Sequence, residues 1–255
     1  MEKLTIVKVG GQLVENPESL TEVINRFSQI KGKKVLVHGG GRSATKMAQR
    51  LQLETHLVDG RRITDQPMLE VVIMVYGGLV NKTIVAEMQA RGMNALGLTG
   101  ADLNFMQSIQ RPVTTIDYGF VGDVTEVNPE LLLLLINRNV IPVLAPLTYD
   151  KQGQLLNTNA DTIAAEAAIA FSKNYQTELV FCFEKPGVLA NPDEDGSVIH
   201  HLCLPAYQKM KATGVVHTGM IPKLDNSFRA LEKGVSQIRI CDIKGLAQGG
   251  TLLKG

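Results

Sequence analysis

Two lysines occupy positions that are unfavourable for a cation unless an anion lies nearby. Lys8 is the only charged residue in the apolar run TIVKV, and a lysine is rarely buried without an anionic partner. Lys223 follows Gly219 in GMIPK, where a helix is expected to begin and its dipole disfavours a cation. A bound phosphate or carboxylate would satisfy both lysines. The alternatives are a solvent-reaching edge lysine at Lys8 and a local ion pair of Lys223 with Asp225.

Two glycine-rich turns follow the first two strand-like runs of the chain. Gly10 and Gly11 follow TIVKV, and Gly39, Gly40 and Gly41 follow KVLVH. Glycine lets the backbone turn tightly and approach a ligand, and a helix N-terminus presents unpaired N–H groups to an anion. In an open α/β sheet, ligands bind in the crevice at the carboxyl ends of the strands. We therefore expect both turns to offer N–H groups to one phosphoryl or carboxylate site.

The second turn also matches the fingerprint of a dinucleotide-binding dehydrogenase. Gly39-x-Gly41-x-x-Ala44 follows an apolar run and opens a helical pattern, and Asp59 lies about 20 positions further on. A phosphate or carboxylate of any other ligand would suit the same turn. The match alone therefore does not separate a dehydrogenase from another phosphate-binding protein.

Polar residues cluster again in NTNAD, where a helix is expected from about Asp161. A side-chain oxygen of Asn157, Asn159 or Asp161 would cap that helix by accepting hydrogen bonds from its first N–H groups. Capping accounts for one of the three polar residues. The others are candidates for a binding or catalytic site.

The composition favours a protein that acts on small molecules. The 255 residues, 44% hydrophobic and 20% charged, are enough to bury the core of one large α/β domain or two lobes. Lys and Arg number 26 against 25 Asp and Glu, so the chain has no broad basic field to hold nucleic acid or an anionic membrane. We therefore expect neither nucleic acid nor a membrane as a partner.

Cysteine spacing and hydropathy predict a soluble cytoplasmic protein. Cys182, Cys203 and Cys241 are widely spaced and odd in number, which predicts neither a disulfide framework nor a protein-held metal. The start, MEKLTIVKVGG, lacks the long apolar run of a signal peptide. The longest aliphatic run, LLLLLI, is too short to span a bilayer.

Short strand-like runs alternate with helix-length patterns, which predicts an α/β fold of βαβ units on a parallel sheet. The predicted strands are TIVKV, KVLVH, NALGLTG, VIPVLAPL, ELVFCFE, QIRIC and TLL, and the predicted helices lie near 17–30, 42–52, 67–91, 129–138, 204–213 and 220–233, with another from about 161. In the segment 113–124, two glycines divide short polar and apolar pieces, so we expect an antiparallel hairpin that acts as a lid. Without a Ser/Gly linker, two lobes are expected on one continuous sheet, residues 1–170 and 171–255.

Five motifs in order along the chain resemble those of the amino-acid kinase family. They are KVGG at Lys8, HGGG at His38, GRRIT at Gly60, NTNAD at Asn157 and GMIPK at Gly219. Each is weak alone, but five at family-like spacing over essentially the whole chain form a specific signal. The resemblance implies a three-layer α/β/α sandwich around a mostly parallel open sheet, and phosphoryl transfer from ATP with Mg²⁺. It also implies that no nicotinamide is bound.

The resemblance further implies roles for the polar residues of these motifs. Lys8 and Lys223 would stabilise the phosphoryl group during transfer, and Asp161 would hold both lysines in place. Arg62 and Asn157 would bind the α-carboxylate and the acylated amide side of the acceptor. The neighbouring arginine of GRRIT is expected to face solvent.

The glycine turns receive roles from the same resemblance. Gly10, Gly11 and Gly41 would bind the phosphoryl group, and Gly39 and Gly40 would bind the acceptor. Gly11, Gly39 and Gly40 are expected to do so through their backbone N–H groups.

The nucleotide is expected on the second lobe, with its phosphates toward the first. The residues implied in its binding are Glu184, Lys185, Gly187, Val188, Leu189, Val215, Val216 and His217. The chain departs from the family pattern here, because a small polar residue and an aspartate are expected where Phe183 and Glu184 stand.

Within the family, the motif set implies an N-acylglutamate acceptor and a step of arginine biosynthesis. Acetyl is the default acyl group, and succinyl stays open, with Lys46 and Arg111 as candidates for contact with an extra carboxylate. We expect a homodimer, since a two-fold pair is the commonest oligomer, with the long helix after Gln66 as its interface. A non-catalytic nucleotide sensor of the same fold is the alternative, although it would have no use for both lysines and Asp161.

Overall fold

The centre of the fold is an eight-stranded sheet. The computed structural model describes residues 1–58, 60–216 and 220–254. The strands in these residues are β1 (Lys3–Val9), β2 (Lys33–His38), β3 (Leu57–Val58), β4 (Arg61–Arg62), β5 (Ala95–Leu98), β6 (Met106–Gln110), β7 (Gly122–Val127), β8 (Ile141–Leu144), β9 (Leu147–Tyr149), β10 (Leu155–Asn157), β11 (Gln176–Cys182), β12 (His201–Cys203), β13 (Gln237–Cys241) and β14 (Thr251–Lys254). The large sheet has the order β12-β14-β13-β11-β1-β2-β8-β5. Its neighbours run parallel except β13 and β14, so the predicted mostly parallel open sheet is confirmed.

Helices cover both faces of this sheet. They are α1 (Gly11–Glu15), α2 (Pro17–Ser28), α3 (Gly41–Arg50), α4 (Gln66–Val72), α5 (Asn81–Gln89), α6 (Glu130–Asn137), α7 (Ala160–Phe171), α8 (Leu204–Ala212) and α9 (Ile221–Glu232). Two separate apolar cores result, one beneath α1 to α5 and the other beneath α6 to α9. The predicted three-layer α/β/α sandwich is therefore confirmed.

The alternation of side chains along β1 decides which face Lys8 occupies. Ile6 packs into the core of α6 to α9, whereas Val7 and Val9 pack into the opposite core. Successive side chains of a strand point to opposite faces, so Lys8 shares the face of Ile6. That face carries the N-termini of α7 and α9, where Asp161 and Lys223 lie.

The predicted long helix after Gln66 extends from 66 to 89 in three parts. The α-helical turns of α4 pass into a π-helical segment, Ile73–Val80, and then into α5. By length and hydropathy, with a mean of 1.5, it is the one helix in the described part of the chain that resembles a membrane span, but half of its apolar window is buried inside the protein. It is therefore a core helix of this fold, although Met74 and Leu79 remain exposed.

The predicted hairpin exists, but only residues 122–124, at the start of its second strand, lie within the predicted segment. The hairpin pairs β6 with β7, so residues 113–121 form the connection instead of the strands. Its strands belong to a second sheet of order β10-β9-β6-β7. The Phe120 N–H donates to the Thr64 carbonyl at 2.7 Å, and the Phe120 carbonyl accepts from the Asn157 N–H at 2.9 Å. These bonds attach the connection to the elements that carry Arg62 and Asn157.

The predicted strand VIPVLAPL is divided between the two sheets. β8 ends at Leu144 and β9 begins at Leu147. Between them the Leu147 N–H donates to the Ala145 carbonyl at 2.8 Å, and Pro146 has no N–H for a ladder. The chain therefore turns from the large sheet into the small one. The short edge strand β12 was not predicted.

Candidate active site

A buried carboxylate joins the two lysines that the sequence singles out. Lys8 Nζ lies 2.7 Å from Asp161 Oδ1, and Lys223 Nζ lies 2.9 Å from Asp161 Oδ2. Lys8 is the penultimate residue of β1, Asp161 lies in the first turn of α7, and Lys223 lies in the first turn of α9. The structure thus brings together three residues that are far apart in sequence, and Asp225 pairs with Lys211 instead of Lys223.

The triad of Lys8, Asp161 and Lys223 carries one excess positive charge in a nearly dry environment. Burial would raise the pKa of Asp161, but the attraction of the two lysines holds that pKa well below its usual range. The pKa of Lys223 is lowered to about 8, chiefly because of burial and also because of the charge of Lys8, while Asp161 opposes the shift. At neutral pH the triad therefore has a net positive charge that can stabilise an anionic phosphoryl group during transfer.

Two aromatic rings support Lys223. Its Nζ lies 4.6 Å from the ring centre of Phe181 and 5.8 Å from that of Phe183. A cation within about 6 Å of an aromatic face is attracted by the ring quadrupole. Phe183, where a small polar residue was expected, therefore contributes to the position of Lys223.

The two glycine turns contact each other so closely that side chains would not fit. A Cβ on Gly39 would lie 2.9 Å from the Gly11 nitrogen, and a Cβ on Gly11 would lie 3.3 Å from the Gly40 nitrogen. The turns project from the carboxyl ends of β1 and β2, which are paired neighbours. They form one continuous backbone surface beside the triad.

Some backbone N–H groups of these turns already donate hydrogen bonds within the protein, and others have no acceptor there. The Gly10 N–H donates to the Cys182 carbonyl at 2.9 Å, and the Gly39 N–H donates to the Val9 carbonyl at 3.0 Å. The prediction that Gly39 offers its N–H to a ligand is therefore wrong, and Gly10 likewise has no free N–H to offer. The sequence could not show this, because both bonds cross between strands.

Three further N–H groups have no partner within residues 1–58, 60–216 and 220–254. They belong to Gly11, Gly40 and Gly41, at the N-termini of α1 and α3. The first N–H groups of a helix have no intrahelical acceptor. Among the five glycines of the two turns, these three therefore have an N–H group that can bind an anion.

A cavity of about 190 Å³ opens beside the HGGG turn. Its lining includes Gly39, Gly40, Gly41, Arg61, Arg62, Tyr76, Arg111, Asn157 and Thr158. Arg62 is buried, whereas Arg61 is exposed as predicted. The Arg62 guanidinium donates to the Gly41 carbonyl at 2.8 Å and to Thr45 Oγ1 at 2.7 Å. Three cationic guanidinium groups and an amide in one cavity suit an acceptor with a carboxylate and polar substituents.

Asn157 also lines this cavity. Its Nδ2 donates to Thr64 Oγ1 at 3.0 Å, and Thr64 Oγ1 donates to the Arg62 carbonyl at 3.1 Å. Asn159 is the helix cap, accepting from the N–H of Asp161 at 2.8 Å. Asn157, Asn159 and Asp161 thus have three separate positions.

A larger cavity of about 550 Å³ has Lys223 in its lining, whereas Lys8 and Asp161 line neither cavity. Its lining includes Phe183, Lys185, Gly187, Val188, Leu189, Pro192, Asp193, Val215, Val216, Met220 and Lys223. Most of the predicted nucleotide-binding residues therefore line one space, while Glu184 is not part of its lining. His217 and Gly219 lie outside the described residues, as does Asp59. Lys185 pairs with Asp195 at 2.8 Å.

Sequence reasoning missed Tyr76, which lines the smaller cavity. A Cβ on Gly40 would lie 2.9 Å from Tyr76 Cδ1, so the ring packs directly on the HGGG turn. Burial raises the pKa of Tyr76, and its hydroxyl stays neutral. Its only sequence signal was a tyrosine within an apolar helix, which is equally typical of a core residue.

Within the described residues, no group of three or more His, Cys, Asp and Glu side chains could hold a metal ion. A divalent cation in this site would therefore need ligands from the substrate, and nucleotide phosphates provide them.

The fold, the paired glycine turns and the lysine–aspartate triad, whose Lys223 lines the larger cavity, define a phosphoryl-transfer protein. Residues 3–242 match the amino acid kinase family, and the chain belongs to it. The chain is 57% identical over 249 residues to the acetylglutamate kinase of Parabacteroides distasonis, with 98% of each chain covered. It is 37% identical to the acetylglutamate kinase of Methanopyrus kandleri, with 98% of this chain and 100% of the relative covered. Among solved structures, it resembles the Streptococcus mutans UA159 protein smu.665, with a TM-score of 0.81, 27% identity and 98% of each chain covered.

Proposed function

We propose that the protein transfers the γ-phosphoryl group of MgATP to the γ-carboxylate of N-acetyl-L-glutamate, giving ADP and N-acetyl-L-glutamyl 5-phosphate. The observation that carries the proposal is the position of the triad, with Lys223 lining the larger cavity and the N terminus of α7 lining the smaller one. Relatives named acetylglutamate kinase that match nearly the whole chain supply the substrate. The reaction belongs to arginine biosynthesis.

The proposed acceptor explains which catalytic groups are needed. A γ-carboxylate has a reference pKa of about 4.3 and is already ionised at neutral pH, so no general base is required. The barrier arises because two anions must approach in line. Lys8, Lys223, the free N–H groups and Mg²⁺ bound to the ATP phosphates all reduce that repulsion.

Each part of the site then has one role in the transfer. The N–H groups of Gly11, Gly40 and Gly41 hold the transferring phosphoryl group and the attacking carboxylate. Arg62 and Asn157 bind the α-carboxylate and the acylated amide. Asp161 keeps the two lysine ammonium groups from separating. Residues 1–170 form the acceptor lobe and residues 171–255 the nucleotide lobe.

The exposed apolar surface of the helix 66–89 is the basis for the proposed homodimer. Met74 is 54% exposed and Leu79 is 55% exposed, on a segment whose other face is in the core. A contiguous exposed apolar patch marks an interaction surface in a soluble protein. A two-fold pair in the cytoplasm would bury them.

Arg111 favours N-succinyl-L-glutamate as a second candidate acceptor. Its Nε and Nη2 donate to Asp123, at 3.1 Å and 2.5 Å from Oδ1, but its buried Nη1 has no partner within the part of the chain that the structure describes. A buried donor without a partner is costly, and Arg111 lines the acceptor cavity. The terminal carboxylate of a succinyl group would accept from Nη1. Lys46 is not a contact, because it lines neither cavity and pairs with Glu15.

Hydroxylamine trapping of the acyl phosphate tests the proposal and separates its alternatives. The protein is incubated with MgATP and, in turn, N-acetyl-L-glutamate, N-succinyl-L-glutamate, L-glutamate and L-aspartate. Hydroxamate from the acetyl substrate supports the main proposal, and a higher kcat/KM for the succinyl substrate, lost in Arg111→Met, supports the second. ATP binding without hydroxamate from any acceptor would indicate the nucleotide sensor.

A further inference from the structure

His38 is a buried imidazole with both ring nitrogens in hydrogen bonds. It ends β2 and is fully buried. Its Nδ1 lies 2.7 Å from the Gly39 carbonyl oxygen, and its Nε2 lies 3.1 Å from Asn81 Nδ2. A carbonyl only accepts and an amide nitrogen only donates. The ring is therefore neutral, with its proton on Nδ1, and burial lowers its pKa to about 4.

Asn81 is fixed in turn by contacts with two strands. Its Nδ2 also donates to the Val143 carbonyl at 2.9 Å, and its Oδ1 accepts from Lys82 Nζ at 3.2 Å. A Cβ on Gly97 would lie 1.8 Å from Asn81 Oδ1, so β5 passes directly against the amide. Asn81 therefore has one orientation, and it presents an N–H to His38.

The geometry of the peptide bond carries this constraint to the reaction site. The Gly39 carbonyl and the Gly40 N–H belong to the same planar trans peptide, so they point in opposite directions. The bond from His38 Nδ1 directs the carbonyl toward the imidazole, and the Gly40 N–H then points the other way. That nitrogen faces the Gly11 turn, since a Cβ on Gly11 would lie 3.3 Å from it.

We propose that His38, oriented by Asn81, is a positioning residue that aims the Gly40 N–H at the group undergoing transfer. The inference rests on the proposed phosphoryl transfer. His38 touches neither substrate, and it holds no proton that the reaction uses. Its contribution is to prevent rotation of the Gly39–Gly40 peptide when charge develops in the site, as electrostatic preorganisation requires.

Two substitutions test separately the hydrogen bonds of the two ring nitrogens of His38. His38→Asn keeps a donor near the Nδ1 position, and His38→Gln keeps an amide group near the Nε2 position while it loses the donor to Gly39. We expect kcat to fall roughly tenfold or more in His38→Gln, with the ATP dissociation constant unchanged, and to be largely retained in His38→Asn. Equal kcat values in His38→Gln and the wild type, or equal losses in both variants, would overturn the proposal.

A spectroscopic measurement on the wild type does not depend on the variants folding or on the proposed reaction. Nitrogen-15 NMR of the labelled histidines should show His38 as the neutral Nδ1–H tautomer from pH 6 to 8. An Nε2–H tautomer or an imidazolium in that range would contradict the geometry. Absence of wild-type turnover combined with the Nδ1–H tautomer would reject the proposed function and, with it, the positioning role.

Discussion

Lys8 and Lys223 share a single carboxylate, each contacting a different oxygen of Asp161 at 2.7 Å and 2.9 Å. The two ammonium groups come from the end of a strand and the start of a helix on the same face of the sheet. Neither element alone would hold a lysine away from water. The carboxylate between them makes two buried cations compatible with the fold and leaves one excess positive charge for the phosphoryl group.

Removal of either lysine should abolish most turnover without unfolding the protein. Lys8→Ala and Lys223→Ala are each expected to lower kcat by roughly one hundredfold or more, because each removes a preorganised charge from the site. Lys211→Ala is the matched control, since that lysine pairs with Asp225 outside both cavities. Steady-state ADP release and circular dichroism give the two readouts. Normal turnover in both active-site variants would reject the assignment.

Asp161→Asn tests whether the carboxylate positions the lysines. The amide keeps the shape of the side chain but removes the charge that offsets the repulsion between Lys8 and Lys223. We expect a large loss of kcat, with a smaller loss in Asp225→Asn. If the Asp161→Asn variant had the wild-type kcat, Asp161 would have no catalytic role and would contribute only to the first turn of α7.

The lowered pKa of Lys223 predicts the alkaline limb of the pH profile. Below about pH 8 the ammonium is protonated and active, and above that value it loses its proton, so kcat/KM should fall as the pH rises. Bound phosphate favours the charged form, so the corresponding limb of kcat should lie at higher pH. A kcat/KM that stays constant to pH 10 would contradict this role.

The contact between the two glycine turns predicts that position 39 must be glycine. In Gly39→Ala the new Cβ would lie 2.9 Å from the Gly11 nitrogen, so one of the two turns must shift. The N–H groups of the shifted turn would then no longer point at the bound group. We expect lower kcat/KM for the acceptor. Gly196→Ala, where a Cβ meets nothing within 4 Å, is the control. Equal kcat/KM values in the two variants would show that the turns tolerate displacement.

The proposed homodimer depends on the exposed apolar residues of the long helix. Met74→Glu combined with Leu79→Glu should give a monomer in light scattering, because the charges would be buried without partners. Leu134→Glu, at a leucine that is 61% exposed on α6, serves as the control and should leave the dimer intact. A monomeric wild-type protein would exclude the proposed dimer. A dimer that persists in the double variant would place the interface elsewhere.

Much of the fold was predictable because local patterns determine it. The alternation of strand-like and helix-like sequence patterns predicted the sheet and the helices on both of its faces. The isolated charge of Lys8 within an apolar run indicated an anionic partner. The hairpin strands lie largely outside the predicted segment because residues 118–120 of the connection form hydrogen bonds to Thr64 and Asn157, and no local pattern encodes those contacts.

The details of the site depended on contacts between distant segments. Whether Gly39 or Gly40 keeps a free N–H is decided by the pairing of β1 with β2, and Tyr76 reaches the site only because a π-helical segment packs on the HGGG turn. Phe183 departs from the family pattern, yet its ring lies near Lys223. A motif supplies the type of chemistry, whereas the tertiary packing selects which atoms perform it.

The most direct test of phosphoryl transfer to a carboxylate follows the oxygen atom. N-acetyl-L-glutamate labelled with oxygen-18 in its γ-carboxylate is incubated with the protein, MgATP and hydroxylamine, and the released phosphate is analysed by mass spectrometry. Hydroxylamine attacks the acyl carbon, so the phosphate leaves with the bridging oxygen. Phosphate that carries one oxygen-18 atom, formed together with the hydroxamate, is the predicted result. Unlabelled phosphate would mean that water attacks ATP, and it would contradict the proposed reaction.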